Sequence, residues 1–226
     1  MIQRQKNTAI LLFSRTSADE AAVKDFAFGQ KNQVVAHQLV QHSIKTAQQT
    51  KLPFFQACNK AQYGNSFGER LANEIEIVFQ KGYESLIIIG NDCPQLTTQH
   101  IFQAKEQLRK QQVVLGPASD GGVYLIGLRQ DAYSRSDFIN FDWEKETLQE
   151  SWEAQIADIV WLEILSDIDS AADLRNFLNS VAQWHYLRQR FLSILREVKS
   201  DIDHIYHLIT TYHFNTNALR APPSLH

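Results

Sequence analysis

Short runs of consecutive apolar residues recur along this chain, and most of them are followed by a segment whose apolar residues repeat at helical spacing. The clearest runs are Ala9-Ile10-Leu11-Leu12-Phe13, Leu86-Ile87-Ile88-Ile89 and Val113-Val114-Leu115. Such runs are typical of strands that are covered on both faces, and their alternation with helices predicts a parallel arrangement. We therefore predict an α/β fold in three layers, with helices on both faces of a mostly parallel sheet.

The alternation ends near Leu178, and from about residue 180 the spacing becomes purely helical. We predict a main domain over residues 1–179 and a helical C-terminal appendage with an irregular tail over residues 180–226. One apolar stripe marks the appendage: Trp184, Leu187, Phe191, Ile194 and Val198. A stripe of this kind either docks on its own domain or forms the seam of a homodimer, and the spacing leaves both open.

Composition narrows the class of protein. The chain has 226 residues, of which 44% are hydrophobic, so a packed core is expected. The formal net charge of −3 gives no reason to expect nucleic acid or an anionic membrane as a partner. No run approaches the ~20 apolar residues that span a bilayer, and Cys58 and Cys93 form no C-x-x-C pattern. We expect a cytoplasmic protein.

The first tract with chemical content is Gly90-Asn91-Asp92-Cys93-Pro94, directly after a buried strand. In open α/β sheets, ligands bind in the crevice outside the carboxyl ends of the strands. Mg²⁺ and Mn²⁺ prefer oxygen ligands and bind through one or two carboxylates plus substrate phosphates. Asp92 is therefore a candidate metal ligand. The alternative is a turn aspartate that accepts hydrogen bonds from its own backbone.

The second tract is Asp120-Gly121-Gly122, which follows the strand of residues 113–115. Paired glycines allow the backbone to approach a ligand closely, so Gly121 and Gly122 are candidates for donor binding. Asp120 is the candidate catalytic residue, as a base toward an acceptor hydroxyl or phosphate. The alternative is a two-residue Asp-Gly turn in a hairpin.

Three other segments bear on the site. Asp167 and Asp169 follow a later strand, and either is a candidate further metal ligand, with Asp169 preferred; capping of the next helix is the alternative. The charged segment from Arg15 to Asp25 is expected to be a loop. Residues 143–157 are expected to form one helix, because Leu148, Trp152 and Ile156 recur every fourth residue.

Several tracts together resemble a known family. They are Gln62-x-Gly64, Phe67-Gly68-Glu69-Arg70-Leu71, Gly90-Asn91-Asp92-Cys93-Pro94-x-Leu96-Thr97 and Gly116-Pro117-Ala118-x-Asp120-Gly121-Gly122-Val123-Tyr124-Leu125-Ile126-Gly127-Leu128. Over residues 8–178 the chain is similar to bacterial GT-A-type transferases, which are related to the guanylyltransferases of molybdenum-cofactor and 2-phospholactate metabolism. The resemblance implies a nucleotide-diphosphosugar transferase fold and places Asp92 where such enzymes hold their metal.

The resemblance also locates the donor. Lys24 matches the lysine of the family's phosphate loop. Arg15 and Asn91 are further candidates for binding the donor nucleotide. The glycine of that loop is missing, and Asp25 and Phe26 replace the family's Thr and Arg. Asp19, Glu20 and Asp25 make this segment acidic, which favours a diphosphate donor over a triphosphate.

Three functions follow as expectations. The first is a transferase that depends on Mg²⁺ or Mn²⁺ and moves a sugar from a nucleotide diphosphate to a small-molecule acceptor. The second is a nucleotidylyltransferase that acts on a phosphorylated small molecule and releases pyrophosphate. The third is a non-catalytic binding protein on the same fold.

Overall fold

The computed structural model describes residues 6–58 and 62–196, which fold around a six-stranded sheet. The strands are β1 Lys6–Ser14, β2 Phe54–Cys58, β3 Tyr83–Ile89, β4 Val113–Pro117, β5 Val123–Arg129 and β6 Ile159–Trp161. The helices up to residue 180 are α1 Ser17–Val23, α2 Gln30–Gln49, α3 Phe67–Phe79, α4 Thr98–Gln107, α5 Arg135–Ile139, α6 Leu148–Gln155 and α7 Ala171–Ser180, with a 3-10 turn at Gln130–Ala132.

The sheet has the strand order β2-β1-β3-β5-β4-β6. Strand β1 is parallel to β2 and β3, and β4 is parallel to β6. Strand β5 lies between β3 and β4 and is antiparallel to both. The predicted mostly parallel sheet is confirmed. The exception arises because the chain turns back tightly after β4, so that β4 and β5 form a hairpin.

Both faces of the sheet are covered, which confirms the three layers. Successive residues of a strand point to opposite faces, so Leu11 packs into one apolar core and Ile10 into the other. The first core includes Leu71 and Ile75 of α3, and the second includes Ile101 of α4. Continuous apolar strands are thus explained by burial from both sides.

Two local predictions are wrong. The segment after β1 is a helix, α1, because the hydroxyl of Thr16 accepts a hydrogen bond from Asp19 N at 3.2 Å and caps the first turn. Residues 143–147 are not helical, and α6 begins only at Leu148. Glu144 there has a φ of 62°, which interrupts a right-handed helix. The Trp143 side chain instead packs beside Phe67, with ring centroids 5.3 Å apart.

The chain divides into two compact units, residues 1–179 and 180–226. In the second unit the structure describes residues 180–196, which include a helix over 186–196. Leu187, Phe191 and Ile194 of the predicted stripe are buried, whereas Trp184 is 83% exposed. Val198, the rest of the predicted appendage and the tail lie outside the described residues. The homodimer stays a prediction.

Within residues 6–58 and 62–196, no helix is both long enough and apolar enough to pass through a membrane.

Candidate active site

A cleft of about 660 Å³ opens at the edge of the sheet where β1, β3 and β4 end. This volume falls in the usual range for small-molecule sites. Polar and charged side chains line it, among them Arg15, Glu20, Lys24, Arg70, Asn91, Asp92, Asp120, Asp167 and Asp169. Aromatic side chains also line it, among them Phe13, Phe67 and Trp143. The edge of the sheet that the sequence predicts as the site therefore carries a cavity.

Backbone contacts between loops explain why distant carboxylates meet here. Ile168 N donates to Asp92 O at 2.8 Å, which joins the turn after β3 to the loop that precedes α7. Asp25 and Ser170 form a parallel β-bridge, which brings the end of the α1 segment beside the same loop. Residues of three chain segments are thereby fixed around one point at the mouth of the sheet.

Lys24 lies at that point. Its Nζ contacts Asp169 Oδ1 at 2.6 Å, Asp92 Oδ2 at 3.1 Å and Glu20 Oε2 at 3.4 Å. Burial acts to lower the pKa of Lys24, but the charges of Asp92, Glu20 and Asp169 prevail and raise it above its usual value. The lysine is a cation held by three carboxylates.

Asp92 therefore differs from a turn aspartate that bonds only its own backbone. Its side chain is 31% exposed, lines the cleft and accepts from Lys24. Asp169 likewise turns toward Lys24, and the capping role falls to its neighbour, because Asp173 N donates to Ser170 Oγ at 3.3 Å as α7 begins. Both aspartates predicted as metal ligands thus face the same cation.

Asp167 is a largely buried carboxyl beside this cluster. Burial, followed by the charges of Asp92, Asp120 and Asp169, raises the pKa of Asp167 to about 9. Its Oδ1 atom is buried and makes no hydrogen bond. Without a bound cation, this shift favours the protonated form of Asp167 in the wall of the cleft.

The raised pKa of Asp167 predicts a pH-dependent stability. Between about pH 4 and pH 9, the folded protein holds a proton here that the unfolded chain releases, so this group lowers stability progressively as the pH rises through that window. In metal-free protein, Asp167→Asn should therefore increase the free energy of unfolding at pH 7 by on the order of 2 kcal/mol, with no gain near pH 4. Urea titrations at both pH values measure this difference.

Asp169→Asn is the matched control, because it removes an acceptor of Lys24 rather than a protonated acid and should lower stability at pH 7. A gain for Asp167→Asn that is equal at pH 4 and pH 7 would contradict the assignment.

The Asp120 tract forms the turn of the β4–β5 hairpin, so the hairpin alternative describes its backbone. Gly122 N donates to Asp120 Oδ1 at 2.9 Å, while the Asp120 side chain remains at the cleft. Gln149 supports this turn, because its Nε2 donates to Ala118 O at 2.9 Å and to Gly122 O at 2.7 Å. Hairpin geometry and a place in the cleft are compatible.

The remaining predicted donor residues divide in two groups. Arg15, Asn91 and Gly122 line the cleft, and Arg15 Nη1 lies 3.9 Å from Glu20 Oε1. Gly121 is not among the lining residues. Its backbone instead packs against the Glu146 carbonyl, so close that a Cβ on Gly121 would lie 2.3 Å from that oxygen. Gly121 shapes the turn that carries Asp120.

Some cleft residues escaped sequence reasoning. Glu20 contacts Lys24 across one turn of α1, and its spacing of four residues from that lysine is a signal that could have revealed the pair. Trp143, which the apolar spacing places in a helix, lines the cleft, and its indole N–H donates to Phe138 O at 2.7 Å. No local pattern in the sequence marks Trp143 as part of the cleft.

The donor set fits a hard divalent cation only in part. Asp92 and Asp169 supply carboxylate oxygens, and Asp167 Oδ1 is a buried oxygen without a hydrogen bond, all of which suit Mg²⁺ or Mn²⁺. However, in the described ranges no three His, Cys, Asp or Glu side chains stand together ready to hold a metal ion. Two carboxylates suffice for such a cation when substrate phosphates complete its coordination.

Solved structures share this fold. A candidate nucleotide-diphospho-sugar transferase from Desulfovibrio desulfuricans G20 is similar with a TM-score of 0.74 at 21% identity, over 87% of this chain and 97% of the other. 4-Diphosphocytidyl-2C-methyl-D-erythritol synthase from Anaerococcus prevotii has a TM-score of 0.51 at 7% identity, over 76% of this chain and 96% of its own. These likenesses assign the nucleotide-diphospho-sugar transferase fold.

Another solved structure with this fold contains a metal. It is Rv0371c from Mycobacterium tuberculosis H37Rv in complex with manganese, with a TM-score of 0.50 at 10% identity, over 78% of this chain and 99% of the other.

Sequence comparison points to a family rather than to a protein of known activity. A family model described as uncharacterized protein conserved in bacteria (DUF2064) matches residues 17–145, more than half of the chain. No curated protein matches the chain.

Proposed function

This chain belongs to the DUF2064 family of bacterial proteins, and from that premise we propose that it is a transferase of nucleotide-diphosphate sugars that works with Mg²⁺ or Mn²⁺. One observation carries the proposal: the carboxylates of Asp92 and Asp169 meet on a single cation, Lys24, inside a cleft at the strand ends. A site that gathers carboxylates around a cation at this edge of the sheet suits a metal and a pyrophosphate. The acceptor is a small molecule that the cleft admits.

Asp92 and Asp169 would hold the divalent cation. When bound, the metal supplies positive charge to the diphosphate as the bond between sugar and oxygen breaks. The chain has to supply the remaining contacts to the donor, because two carboxylates cannot by themselves attract an anionic nucleotide.

Two cationic residues of the cleft, Arg15 and Lys24, bind the donor phosphates in this proposal. Arg15 and Lys24 both line the cavity, and each is an ion-pair partner of Glu20. Asn91, 5% exposed, supplies an amide at the floor of the cleft. Asp120 faces the acceptor from the hairpin turn and accepts the proton of its hydroxyl group as the sugar is transferred.

The local structure of α1 favours a diphosphate over a triphosphate. A helix N-terminus that binds phosphate needs free backbone N–H groups and positive charge. Here the Thr16 hydroxyl already accepts from Asp19 N, and the first turn carries Asp19 and Glu20. The start of α1 is therefore capped and acidic, which disfavours the nucleotidylyltransferase alternative.

A thermal-shift screen tests the proposal. Nucleotide-diphosphate sugars, the matching triphosphates and inorganic phosphate are each added with Mn²⁺ or with EDTA. A ligand at 100 times its Kd stabilises by about 2.7 kcal/mol, which corresponds to about 5–10 °C in Tm for a domain of this size. We expect such a shift with one or more nucleotide-diphosphate sugars, only in the presence of Mn²⁺.

Other outcomes would favour the alternatives. A larger shift with a triphosphate, together with pyrophosphate release, would point to nucleotidyl transfer. If no nucleotide raises the Tm with or without Mn²⁺, the protein is a binding protein on a transferase fold and the proposal is wrong.

A further inference from the structure

The position of Lys24 carries a consequence beyond phosphate binding. Its Nζ is within hydrogen-bond distance of the same carboxylates that would hold the metal, at 2.6 Å from Asp169 Oδ1 and 3.1 Å from Asp92 Oδ2. A divalent cation of this kind binds carboxylate oxygens at about 2.0–2.2 Å and tolerates no other cation in the same place. Lysine and metal therefore compete for one set of oxygens.

The backbone of Lys24 is held in place. Lys24 N donates to Glu20 O at 2.9 Å as the C-terminal cap of α1, and Asn32 Nδ2 donates to Lys24 O at 2.7 Å. The side chain beyond Cα has four rotatable carbon–carbon bonds and is 14% exposed at the cleft wall. The ammonium group can thus change partners without movement of the helix.

The destination of the displaced ammonium lies in the same cleft. With metal on Asp92 and Asp169, Lys24 retains only Glu20 among its present carboxylate partners, and Glu20 also lies near Arg15. A pyrophosphate brought in by the donor offers several strong acceptor oxygens to an ammonium group. The lysine would exchange carboxylate partners for phosphate partners.

We propose that Lys24 is an internal counter-ion that occupies the metal position in the free protein and yields it, on entry of the donor and its divalent cation, to bind the diphosphate. This inference rests on the proposed function, because it assumes that metal and diphosphate share the cleft. It assigns Lys24 a regulatory role: the metal binds weakly alone and tightly with nucleotide. The two ligands therefore support each other's binding, as any coupling between sites must be reciprocal.

Removal of the lysine separates this exchange from simple phosphate binding. In Lys24→Met the side chain keeps its length and loses its charge. Mn²⁺ binding to nucleotide-free protein, measured by electron paramagnetic resonance titration, should tighten by about tenfold or more because the competitor is gone. Nucleoside-diphosphate binding in the presence of saturating Mn²⁺ should weaken, because the phosphates lose a partner. The two effects have opposite signs.

Lys145→Met is the matched control. Lys145 also lines the cleft, and its Nζ pairs with Asp142 rather than with Asp92 or Asp169. It changes the net charge by the same amount, so a general electrostatic effect would tighten Mn²⁺ in both variants. We expect no change in Mn²⁺ affinity for Lys145→Met.

Loss of Lys24 leaves the Glu20 carboxylate, 3% exposed, without its nearest cation, and a buried charge without a partner destabilises the fold. The double variant Glu20→Gln/Lys24→Met removes that carboxylate while it retains Asp92 and Asp169. It should bind nucleotide-free Mn²⁺ more tightly than Glu20→Gln alone.

The outcomes distinguish this inference from the proposed function. Unchanged or weaker Mn²⁺ binding in Lys24→Met relative to the unmodified protein, and in the double variant relative to Glu20→Gln, overturns the exchange. If Mn²⁺-dependent nucleotide binding is intact in the unmodified protein, the proposed function still stands. Equal tightening in Lys145→Met also overturns it. Absence of nucleotide and Mn²⁺ binding from the unmodified protein overturns both.

Discussion

Asp92→Ala is expected to abolish Mn²⁺-dependent nucleotide binding, with a loss of about 100-fold or more in affinity. Asp92 supplies one of two carboxylates that converge on the cation position, and it lies at the end of β3 on a turn tied to the loop before α7. Removal of a charged partner costs about 1.5–3 kcal/mol, and 2.7 kcal/mol is a factor of about 100 in Kd. Isothermal titration calorimetry with and without EDTA measures the effect.

Glu146→Ala is the control for this variant. Glu146 is an exposed carboxylate that lines the same cleft, and its loss changes the charge of the cavity without touching the cation position. Its effect on Mn²⁺-dependent binding should stay within a factor of about 3, as for a screened surface charge. Unchanged binding in Asp92→Ala would remove the metal role from this residue.

Gly121→Ala is expected to lower the free energy of unfolding by about 3 kcal/mol. Gly121 has a φ of 92°, which costs an L-residue about 1–2 kcal/mol, and its added methyl group would lie 2.3 Å from the Glu146 carbonyl oxygen. Overpacking of this kind adds about 1–3 kcal/mol. Relief of this contact requires either the turn or the 143–147 loop to shift, and a shift of the turn also moves Asp120.

Gly82→Ala separates the two causes. Gly82 has a similar φ of 87°, but nothing lies within 4 Å of a Cβ placed there. It should therefore lose only the conformational part, about 1–2 kcal/mol. Urea unfolding of both variants measures the two free energies of unfolding. An equal decrease in both would mean that the contact with Glu146 does not contribute to the cost.

Much of the fold can be predicted from apolar patterning. Continuous apolar runs predict strands at residues 86–89 and 113–115, because strands covered on both faces of the sheet are apolar throughout. Strands β3 and β4 include these residues. The direction of β5 could not be derived in this way. Strand order depends on pairing between distant residues, and the same Asp-Gly-Gly tract is compatible with a ligand loop and with a hairpin turn.

The site was predictable to the extent that strand ends reveal it. Asp92 follows β3 and Asp169 lies in the segment between β6 and α7. The carboxyl ends of parallel strands in one sheet meet at a common edge. The bond between Lys24 and Asp92 joins residues 68 positions apart, and nothing local in either segment indicates it. The place of Trp143 in the cleft could not be predicted for a different reason. The apolar spacing of α6 extends back to Trp143, and only the backbone conformation of Glu144 ends the helix before it.

The backbone contacts between the loops around the cleft have a consequence for how the site forms during folding. The backbone bond from Ile168 to Asp92 and the bridge between Asp25 and Ser170 join segments that lie far apart along the chain. Such contacts are the slowest to form, because long loops must close before any of them is rewarded. A chain in which these contacts have not formed lacks the arrangement of Asp92 and Asp169 around Lys24. We therefore expect the protein to bind its ligand only after the whole fold has formed.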